Sequence, residues 1–405
     1  MKDELHITQS SRVRMKMRIL VLLCMVTTVY CEEDLVLKEF VKANNNFSFY
    51  LYDALSTTCS DNFIVSPLSV ETILALTALG AKGETASELQ KALNLPSDTE
   101  KTKEQFRTVK PLLIGSSFST VSSANRIYIE KGFGITPEFL SNANNIFDAG
   151  AENVNFGEAD ETARKINQWV ENQTNGKIKN LIDPDKLNEL TRIVLANTLY
   201  FKGQWVHGFK SGKTKPMDFH KTESETVKVD TMETIAYLKY VKDESLDVTL
   251  VELPYRGNGL SLTIAIPNTI NGLSSSEYDI YKMLSIQNYT SDNVKLFLPK
   301  FKVETSLNLI PTFRQLGVRK LFNREADLSG ISIKDGLYVS NVLQKVFIDV
   351  NEQGTEAAAA SGVISNSRSA GVRKLANVEI KVDRPFLFFL RLKNIVLFIG
   401  RITVL

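Results

Sequence analysis

The chain has 405 residues, 48 basic and 46 acidic side chains, and a formal net charge of +2. A chain of this length can bury a large core, and its balanced charge points to neither a nucleic acid nor an anionic membrane as a partner. We therefore expect a globular protein that works without nucleic acid and without a membrane.

Residues 1–31 have the pattern of a secretory signal. Basic side chains precede an apolar run at residues 19–29, and acidic residues follow the run at once. The run is too short to span a bilayer, and this order of charges is typical of a signal that is removed on export. We predict a signal peptide over residues 1–31, with Met15 or Met17 left open as the true start, and a secreted, extracellular domain over residues 32–405.

Cysteine usage and sequons agree with export. Cys24 and Cys31 lie within the predicted signal, so only Cys59 would remain in the mature chain. A secreted protein with one thiol has no internal disulfide and depends on a large apolar core for its stability. Three Asn-x-Ser/Thr sequons are candidate acceptors for N-glycans, and which of them are used stays open. They lie at Asn46, Asn172 and Asn288.

The N-terminal half of the chain predicts mainly helices. At residues 66–80, Ser66 can cap a helix, Pro67 suits its first position and Gly80 can end it. Because this segment is almost wholly apolar, the helix is expected deep in the core. The apolar face of residues 161–176 predicts a second helix.

From about residue 193 the pattern becomes that of strands. Two apolar runs flank the sequence Arg-Gly-Asn-Gly at residues 256–259 and predict a hairpin. Residues 379–405 predict two or three buried strands around a turn at Lys393 and Asn394. Helices followed by a sheet indicate an α+β protein whose strands come from distant parts of the chain.

Side chains of familiar catalytic sites are scarce. The histidines are His6, His207 and His220, and the first of them precedes the apolar run of the signal. The sequence has no nucleophile elbow, no phosphate-binding loop and no cysteine and histidine cluster with metal spacing. We therefore expect a protein that is not an enzyme and that binds neither a metal nor a cofactor.

A basic stretch lies at residues 101–110, with four lysine and arginine side chains. Such a stretch is typical either of a polyanion site or of a solvated helix face. Glu100 and Glu104 interrupt the positive charge and favour the solvated face.

The most informative segment is residues 351–370, NEQGTEAAAASGVISNSRSA. In an extended strand beginning at Thr355, one face carries no charge and no side chain larger than valine, so it could enter a sheet without burying a charge. Gly354 and Gly362 weaken strand propensity and would leave the segment mobile. Arg368 is the residue that a trypsin-like specificity pocket selects. The pattern indicates protease bait attached to an insertable strand, with an inert surface loop as the alternative.

This segment resembles the hinge signature of the serpins, and other segments are similar to further landmarks of that family, in the same order. They are residues 61–70, 166–178, 195–205, 298–301 and 382–390. The resemblance extends from about residue 35 to the end of the chain. It implies a single domain with the α+β serpin fold: three β-sheets, eight or nine helices and an exposed reactive-centre loop at about residues 352–378.

The resemblance also implies a function. In this family a protease attacks the loop, forms an acyl-enzyme and is carried across the molecule as the cleaved loop inserts into the main sheet. We expect a monomeric suicide-substrate inhibitor that forms a covalent complex with a trypsin-like serine protease. The alternatives are a non-inhibitory serpin used for binding or storage, and an inhibitor of cysteine proteases. The non-inhibitory type is typically marked by a bulky or charged residue at Thr355 or in the alanines that follow, and none is present.

Site residues follow from the same resemblance. It assigns Ser66, Ser69 and Asn197 to the shutter, where the sheet opens, and Trp205 to the breach, where insertion begins. Gln344 departs from the pattern, because many relatives have a histidine at this point, so the hydrogen bonds and pH sensitivity of the shutter are in question. The hinge comprises Gly354, Thr355, Glu356, Ala357, Ala358, Ala359 and Ala360.

The scissile bond is predicted between Arg368 and Ser369, at the usual distance from Gly354. Seventeen positions separate Arg368 from Pro385, which is more than in many relatives. Arg373 or Lys374 would suit a shorter C-terminal arm and is the alternative. Arg368 is favoured because the hinge-side length decides whether the inserted strand fills the sheet, while loop insertions on the other side cost little.

Overall fold

The computed structural model describes residues 34–257, 259–355 and 376–405. The predicted signal, the hinge from Glu356 to Ala360 and both candidate reactive sites, Arg368–Ser369 and Arg373–Lys374, lie outside these residues. No helix in the described ranges is long and apolar enough to cross a membrane.

The described residues form nine α-helices, in agreement with the expected eight or nine. They are α1 (34–56), α2 (Pro67–Gly80), α3 (Gly83–Ala92), α4 (Thr99–Val109), α5 (Pro137–Asn145), α6 (Ala159–Gln173), α7 (Leu273–Tyr278), α8 (Ile280–Ser285) and α9 (Ile310–Gln315). Four short 3-10 turns lie at Lys110–Leu113, Pro184–Lys186, Ser211–Lys213 and Lys320–Phe322.

Helix α2 confirms its sequence prediction. Ser66 caps it by accepting a hydrogen bond from the Ser69 N–H, Pro67 is its first residue, and Gly80 is its last. All of its residues except Leu79 are buried. A helix that is apolar on all sides is stable only inside a core, and α2 lies there.

The fifteen strands of the described residues are named in chain order. They are β1 (Phe63–Val65), β2 (Ser119–Glu130), β3 (Ala149–Val154), β4 (Ile193–Gln204), β5 (Lys215–His220), β6 (Thr226–Asp243), β7 (Val248–Pro254), β8 (Leu260–Pro267), β9 (Thr290–Pro299), β10 (Phe301–Asn308), β11 (Val339–Asn351), β12 (Gly354–Thr355), β13 (Val378–Lys381), β14 (Phe386–Leu392) and β15 (Ile395–Ile402).

The main sheet has six of these strands, in the order β10-β11-β12-β4-β2-β3. β4 and β11 are parallel neighbours over most of their length, from Val339 opposite Ile193 to Phe347 opposite Tyr200. At one end of this pair the two-residue strand β12 lies between them. The boundary between β4 and β11 is therefore the part of the sheet that concerns function.

The other nine strands form the remaining two sheets. These two sheets are continuous with each other because both contain part of the 18-residue strand β6. The first part of β6 pairs with β5, its middle pairs with β9, and its last part pairs with β7. The predicted hairpin is β7–β8, and the predicted C-terminal strands are β13, β14 and β15. Lys393 and Asn394 form the turn between β14 and β15, both with positive φ angles, as predicted.

Successive apolar side chains on the strands of the main sheet point to opposite faces. Both faces are therefore apolar, and helices cover both. On β4, Leu195 and Leu199 face the large core that contains α2, whereas Val194 and Ala196 face a smaller cluster beneath α6. Helix α6 covers this second face with Ile166 and Val170.

The N-terminal half contains two strands that the sequence patterns did not predict, the twelve-residue β2 and the six-residue β3. β2 has three serines among its first five residues, and its apolar residues are concentrated near Ile127 and Ile129. It becomes a strand because it pairs with β4 along eleven positions, from Ser119 opposite Gly203 to Ile129 opposite Ile193. This pairing is a long-range interaction that local propensity does not contain.

Candidate functional site

The first two residues of the hinge are already part of the main sheet. Gly354 and Thr355 form β12, which pairs with Val350 and Asn351 of β11 on one side. On the other side the same two residues pair with Gly203 and Gln204 of β4. Thr355 is fully buried. The sequence predicted a mobile hinge here, and the difference arises because both neighbouring strands offer free hydrogen-bonding groups at this end of the sheet.

Gly354 is required by close packing rather than for flexibility. Its φ angle is +153°, and a Cβ atom on it would lie 1.8 Å from the carbonyl oxygen of Gly203. No side chain fits in that space, so only glycine allows β12 to approach β4. The interpretation of Gly354 as a residue that only loosens the hinge was therefore incomplete.

Trp205 fixes the turn that precedes the hinge. Its backbone N–H donates to the Gln353 carbonyl at 3.0 Å, and its indole Nε1–H donates to the Asn351 carbonyl at 3.0 Å. The Phe209 N–H donates to the Glu352 carbonyl at 2.9 Å. The turn at residues 351–353 is thus held through three backbone carbonyls.

The Glu352 side chain adds an ion pair at the same turn. Its carboxylate accepts a hydrogen bond from the Thr214 hydroxyl at 2.8 Å and pairs with Lys300 at 3.2 Å. Burial acts to raise the pKa of Glu352, but the hydrogen bonds from its own backbone N–H, from Thr214 and from Lys300 outweigh this and lower it. The turn therefore carries a stabilised negative charge.

Tyr255 completes the breach and was not found in the sequence analysis. Its ring stacks on Trp205 at a centroid distance of 4.2 Å and meets Phe201 edge-on at 4.9 Å. Its hydroxyl lies 2.5 Å from the Thr355 hydroxyl. The sequence signal was the aromatic residue at the end of the β7 strand pattern, which gives no information about a partner a hundred residues away.

The shutter residues Ser66, Ser69 and Asn197 belong to one buried network. The Asn197 side-chain amide donates to Ser69 Oγ at 2.5 Å and to Asn125 Oδ1. Ser66 Oγ donates to the Leu397 carbonyl at 2.8 Å. The network therefore connects α2 to β4, β2 and β15.

Gln344 occupies the place where a histidine was expected, and it makes three hydrogen bonds. Its Nε2–H group donates to the Ser66 carbonyl at 3.0 Å and to Asn197 Oδ1 at 2.6 Å. Its Oε1 accepts from the Ser66 N–H at 3.0 Å. The amide joins β11 to α2 and to β4 with groups that do not titrate.

Glu71 is the titratable group nearest to this network along α2, and it is fully buried. Its Oε2 accepts a hydrogen bond from the Asn44 amide at 2.9 Å, while its Oε1 has no partner among the described residues. Burial raises the pKa of Glu71 to about 8, although the bond from Asn44 acts to lower it. Glu71 is therefore mainly protonated near neutral pH.

The remaining candidate residues lie away from the main sheet boundary. Asn172 and Asn288 are exposed, whereas Asn46 is half-buried within α1 and its amide donates to Asn94 at 3.0 Å. His220 contacts the Thr226 hydroxyl at 3.0 Å, on the β5–β6 hairpin. The described residues bring together no group of three histidine, cysteine or acidic side chains that could hold a metal ion.

Most of the basic stretch at residues 101–110 lies in α4, in agreement with its interpretation as a solvated helix face. Lys103 pairs with Glu100 at 2.7 Å, and Lys110 pairs with Asp148 at 3.5 Å. These pairs reduce the positive charge that a polyanion would meet.

Comparisons with known proteins agree with this architecture. The family model described as serpin (serine protease inhibitor) matches residues 42–404. Alaserpin of Manduca sexta is 35% identical over 370 residues, which cover 89% of this chain and 93% of alaserpin. Serine protease inhibitor 42Dd of Drosophila melanogaster is 36% identical over 357 residues, which cover 87% of this chain and 94% of that protein.

A solved structure gives the same result in three dimensions. The crystal structure of Serpin48 from the insect Tenebrio molitor matches with a TM-score of 0.85 and 41% sequence identity, covering 91% of this chain and 98% of Serpin48. The chain therefore belongs to the serpin family and has the serpin fold. Members of this family form complexes with target proteases.

Proposed function

We propose that this chain is a secreted suicide-substrate inhibitor of trypsin-like serine proteases. It traps the protease as an acyl-enzyme while its cleaved loop inserts between β4 and β11. The observation that carries this proposal is the position of β12, which occupies the first step of that insertion.

The strand directions favour further insertion. β4 and β11 are parallel to each other, whereas β12 is antiparallel to both. A longer β12 would replace one parallel ladder with two antiparallel ladders. Antiparallel pairing is the more stable of the two per residue, and the second ladder adds backbone hydrogen bonds that the intact molecule lacks. Insertion is therefore downhill once cleavage releases the loop.

The register of β12 supports Arg368 as the residue before the scissile bond. With Thr355 opposite Gly203, the same antiparallel register would place residue 365 opposite Ile193, where β4 begins. With Thr355 opposite Val350, residue 366 would lie opposite Val339, where β11 begins. Arg368 would then lie just past the far edge of the sheet. Lys374 would lie six positions further out, beyond any strand partner.

The side chains of the loop suit this path. Thr355 is buried and faces Tyr255 in the core, so the positions that alternate with it would face the same way. All of them are small or apolar and uncharged, so insertion would bury no charge. These positions are Ala357, Ala359, Ser361, Val363 and Ser365.

We also propose export, with N-glycans at Asn172 and Asn288. Both side chains are exposed, whereas the Asn46 amide is half-buried and bonded to Asn94. Expression in a secreting eukaryotic host should release a chain that begins after residue 31. Treatment with an N-glycosidase should lower its mass by two glycans, and the variants Asn172→Gln and Asn288→Gln should each remove one of them. An unglycosylated chain retained inside the cell would contradict this proposal.

Reaction with trypsin tests the inhibitory function. Equimolar mixing should give a complex that resists SDS, together with a released C-terminal fragment that mass spectrometry shows to begin at Ser369. Arg368→Ala should abolish the complex, whereas Lys374→Ala, the matched control, should retain it. Cleavage without a complex would instead support a non-inhibitory serpin. A complex with a cathepsin-like cysteine protease, and none with trypsin, would support the third alternative.

A further inference from the structure

Among the described hinge residues, Thr355 makes a specific side-chain contact in the intact chain. Thr355 is fully buried between β4 and β11, and its hydroxyl lies 2.5 Å from the hydroxyl of Tyr255. The contact joins the second residue of β12 to the residue that follows β7. It is present before any protease has cut the chain.

The position of the Tyr255 hydroxyl is fixed by its surroundings. The ring is stacked on Trp205 and meets Phe201 edge-on. A Cβ atom on Gly203 would lie 2.8 Å from the Tyr255 ring, so the glycine of β4 makes room for it. The Tyr255 N–H also donates to the Leu260 carbonyl at 3.0 Å. The ring is packed on several sides, and among the described residues its hydroxyl has Thr355 as its hydrogen-bond partner.

The protonation state of Tyr255 supports a neutral hydrogen bond. Burial raises the pKa of Tyr255 far above its ordinary value, and the bond to Thr355 lowers it only in part. The phenol therefore keeps its proton at physiological pH. Loss of a neutral hydrogen bond of this kind changes an equilibrium by about fivefold, and leaving one buried partner unpaired costs at least as much.

In the proposed mechanism, insertion of the cleaved loop competes with hydrolysis of the acyl-enzyme. Starting a new strand fixes backbone dihedral angles before it gains many hydrogen bonds, so initiation is the costly step. A chain whose residues 354 and 355 are already paired has completed that step. Each later residue then pairs with both β4 and β11 as it enters, in place of the parallel pairing between those two strands.

We propose that Tyr255 is a positioning residue that latches Thr355 into the main sheet of the intact inhibitor, so that insertion continues from a strand already begun. The latch favours trapping over release of the protease. It requires a hydroxyl at position 355, so serine can replace threonine there, whereas valine, which has nearly the same shape, cannot. This inference rests on the proposed inhibitory function. Its hydrogen-exchange test does not, because that test uses no protease.

The first experiment measures how each variant divides between cleaved, released inhibitor and trapped complex after reaction with trypsin. Tyr255→Phe and Thr355→Val should each raise the ratio of released to trapped product by about fivefold, as expected for one lost hydrogen bond. Thr355→Ser should keep the original ratio. The double variant Tyr255→Phe/Thr355→Val should be no worse than either single variant, because both remove the same contact.

The matched control is Tyr128→Phe. Tyr128 is a fully buried tyrosine of β2 whose hydroxyl has no hydrogen-bond partner among the described residues. Its substitution removes a buried hydroxyl outside the breach and should leave the ratio unchanged. An unchanged ratio in Tyr255→Phe, equal defects in Thr355→Ser and Thr355→Val, or additive effects in the double variant would each overturn the latch.

The second experiment needs no protease. Hydrogen exchange of the intact chain, read on a peptide that covers residues 351–355, should show protection in the native sequence and in Thr355→Ser. Exchange of that peptide should be about fivefold faster in Tyr255→Phe, and unchanged in Tyr128→Phe. Equal protection in Tyr255→Phe and in the native chain would reject the latch. Absence of any trypsin complex with the native chain would reject the proposed function but leave this result to decide the latch.

Discussion

The shutter and the breach hold the same two strands, β4 and β11, by different chemistry. At the shutter, Gln344 and Asn197 use buried amides to bridge the strands to Ser66 of α2. At the breach, Trp205 and Tyr255 hold the strands through aromatic stacking and through the hinge itself. The shutter is a closed set of hydrogen bonds that leaves unpaired groups when broken, whereas the breach already contains the strand that would open it.

This difference indicates a direction for insertion. In the proposed mechanism, β12 lengthens from the breach one residue at a time, whereas the bonds of Gln344 to Ser66 and Asn197 must be exchanged as the loop passes. We therefore expect the breach to control how insertion starts and the shutter to control the stability of the intact state.

A charge at position 355 should prevent insertion at the breach completely. In Thr355→Arg, a guanidinium would have to occupy a site that is fully buried between two strands. An unpaired buried charge costs many times the energy of one hydrogen bond, so β12 should leave the sheet and the cleaved loop should not insert. Trypsin should cleave this variant without forming the SDS-resistant complex, and Thr355→Ser is the control that should still form it. Retained inhibition in Thr355→Arg would falsify the insertion mechanism.

Glu71 should account for most of the pH dependence on the shutter side. Its pKa is about 8 in the folded chain and near its ordinary value of 4.5 when unfolded. The folded chain therefore binds the proton more tightly. The resulting stability is complete at acid pH and is lost as the pH rises through the folded pKa. Between pH values of about 5 and about 9 we expect a loss of about 4 kcal/mol.

Urea unfolding of the native chain and of Glu71→Gln at these two pH values checks this prediction. The glutamine variant should lose much less stability on going to alkaline pH, because its side chain cannot ionise. Glu104→Gln, on the exposed face of α4, is the control and should retain the native pH dependence. An identical alkaline loss in Glu71→Gln would show that another group is responsible.

Removal of the Gln344 amide should weaken the shutter without affecting the hinge. Gln344→Leu keeps the volume of the side chain but leaves the Ser66 N–H, the Ser66 carbonyl and Asn197 without these partners. We expect a loss of about 3 kcal/mol in the free energy of unfolding. Asp349→Asn, at a partly buried position of the same strand, should change it by less than about 0.5 kcal/mol. A stable Gln344→Leu chain would mean that the network contributes little.

The smallest effect is expected from the indole of Trp205. Trp205→Phe keeps an aromatic ring against Tyr255 but removes the hydrogen bond to the Asn351 carbonyl. Hydrogen exchange of residues 351–355 should become faster by about fivefold, the equivalent of about 1 kcal/mol. Trp169→Phe, in α6, should leave exchange of that segment unchanged. Equal exchange rates in the two variants would show that the indole hydrogen bond does not stabilise residues 351–355.

Elements whose shape depends on local sequence were predicted well. Ser66, Pro67 and Gly80 delimit α2 because capping and helix termination are local effects. Lys393 and Asn394 form the β14–β15 turn because a tight turn needs residues that tolerate positive φ angles. The family resemblance supplied the three sheets, which local patterns could not have established, and the strand order came from the structure.

Features that depend on contacts between distant segments were missed. β2 is a strand because of β4, and nothing in its serine-rich sequence indicated this. Gly354 was interpreted as a flexible residue, because its close approach to Gly203 becomes visible only when the two strands are adjacent. Tyr255 and Asn125 were not candidates, since their partners Thr355 and Asn197 lie far away along the chain.

The most direct test of the mechanism is a crystal structure of the chain after cleavage by trypsin. We predict that residues 356–365 then form a strand between β4 and β11, with residue 365 opposite Ile193 and with the present pairing of Val342 to Leu195 broken. A cleaved chain in which Val342 and Leu195 are still paired, with the cut segment outside the sheet, would contradict it.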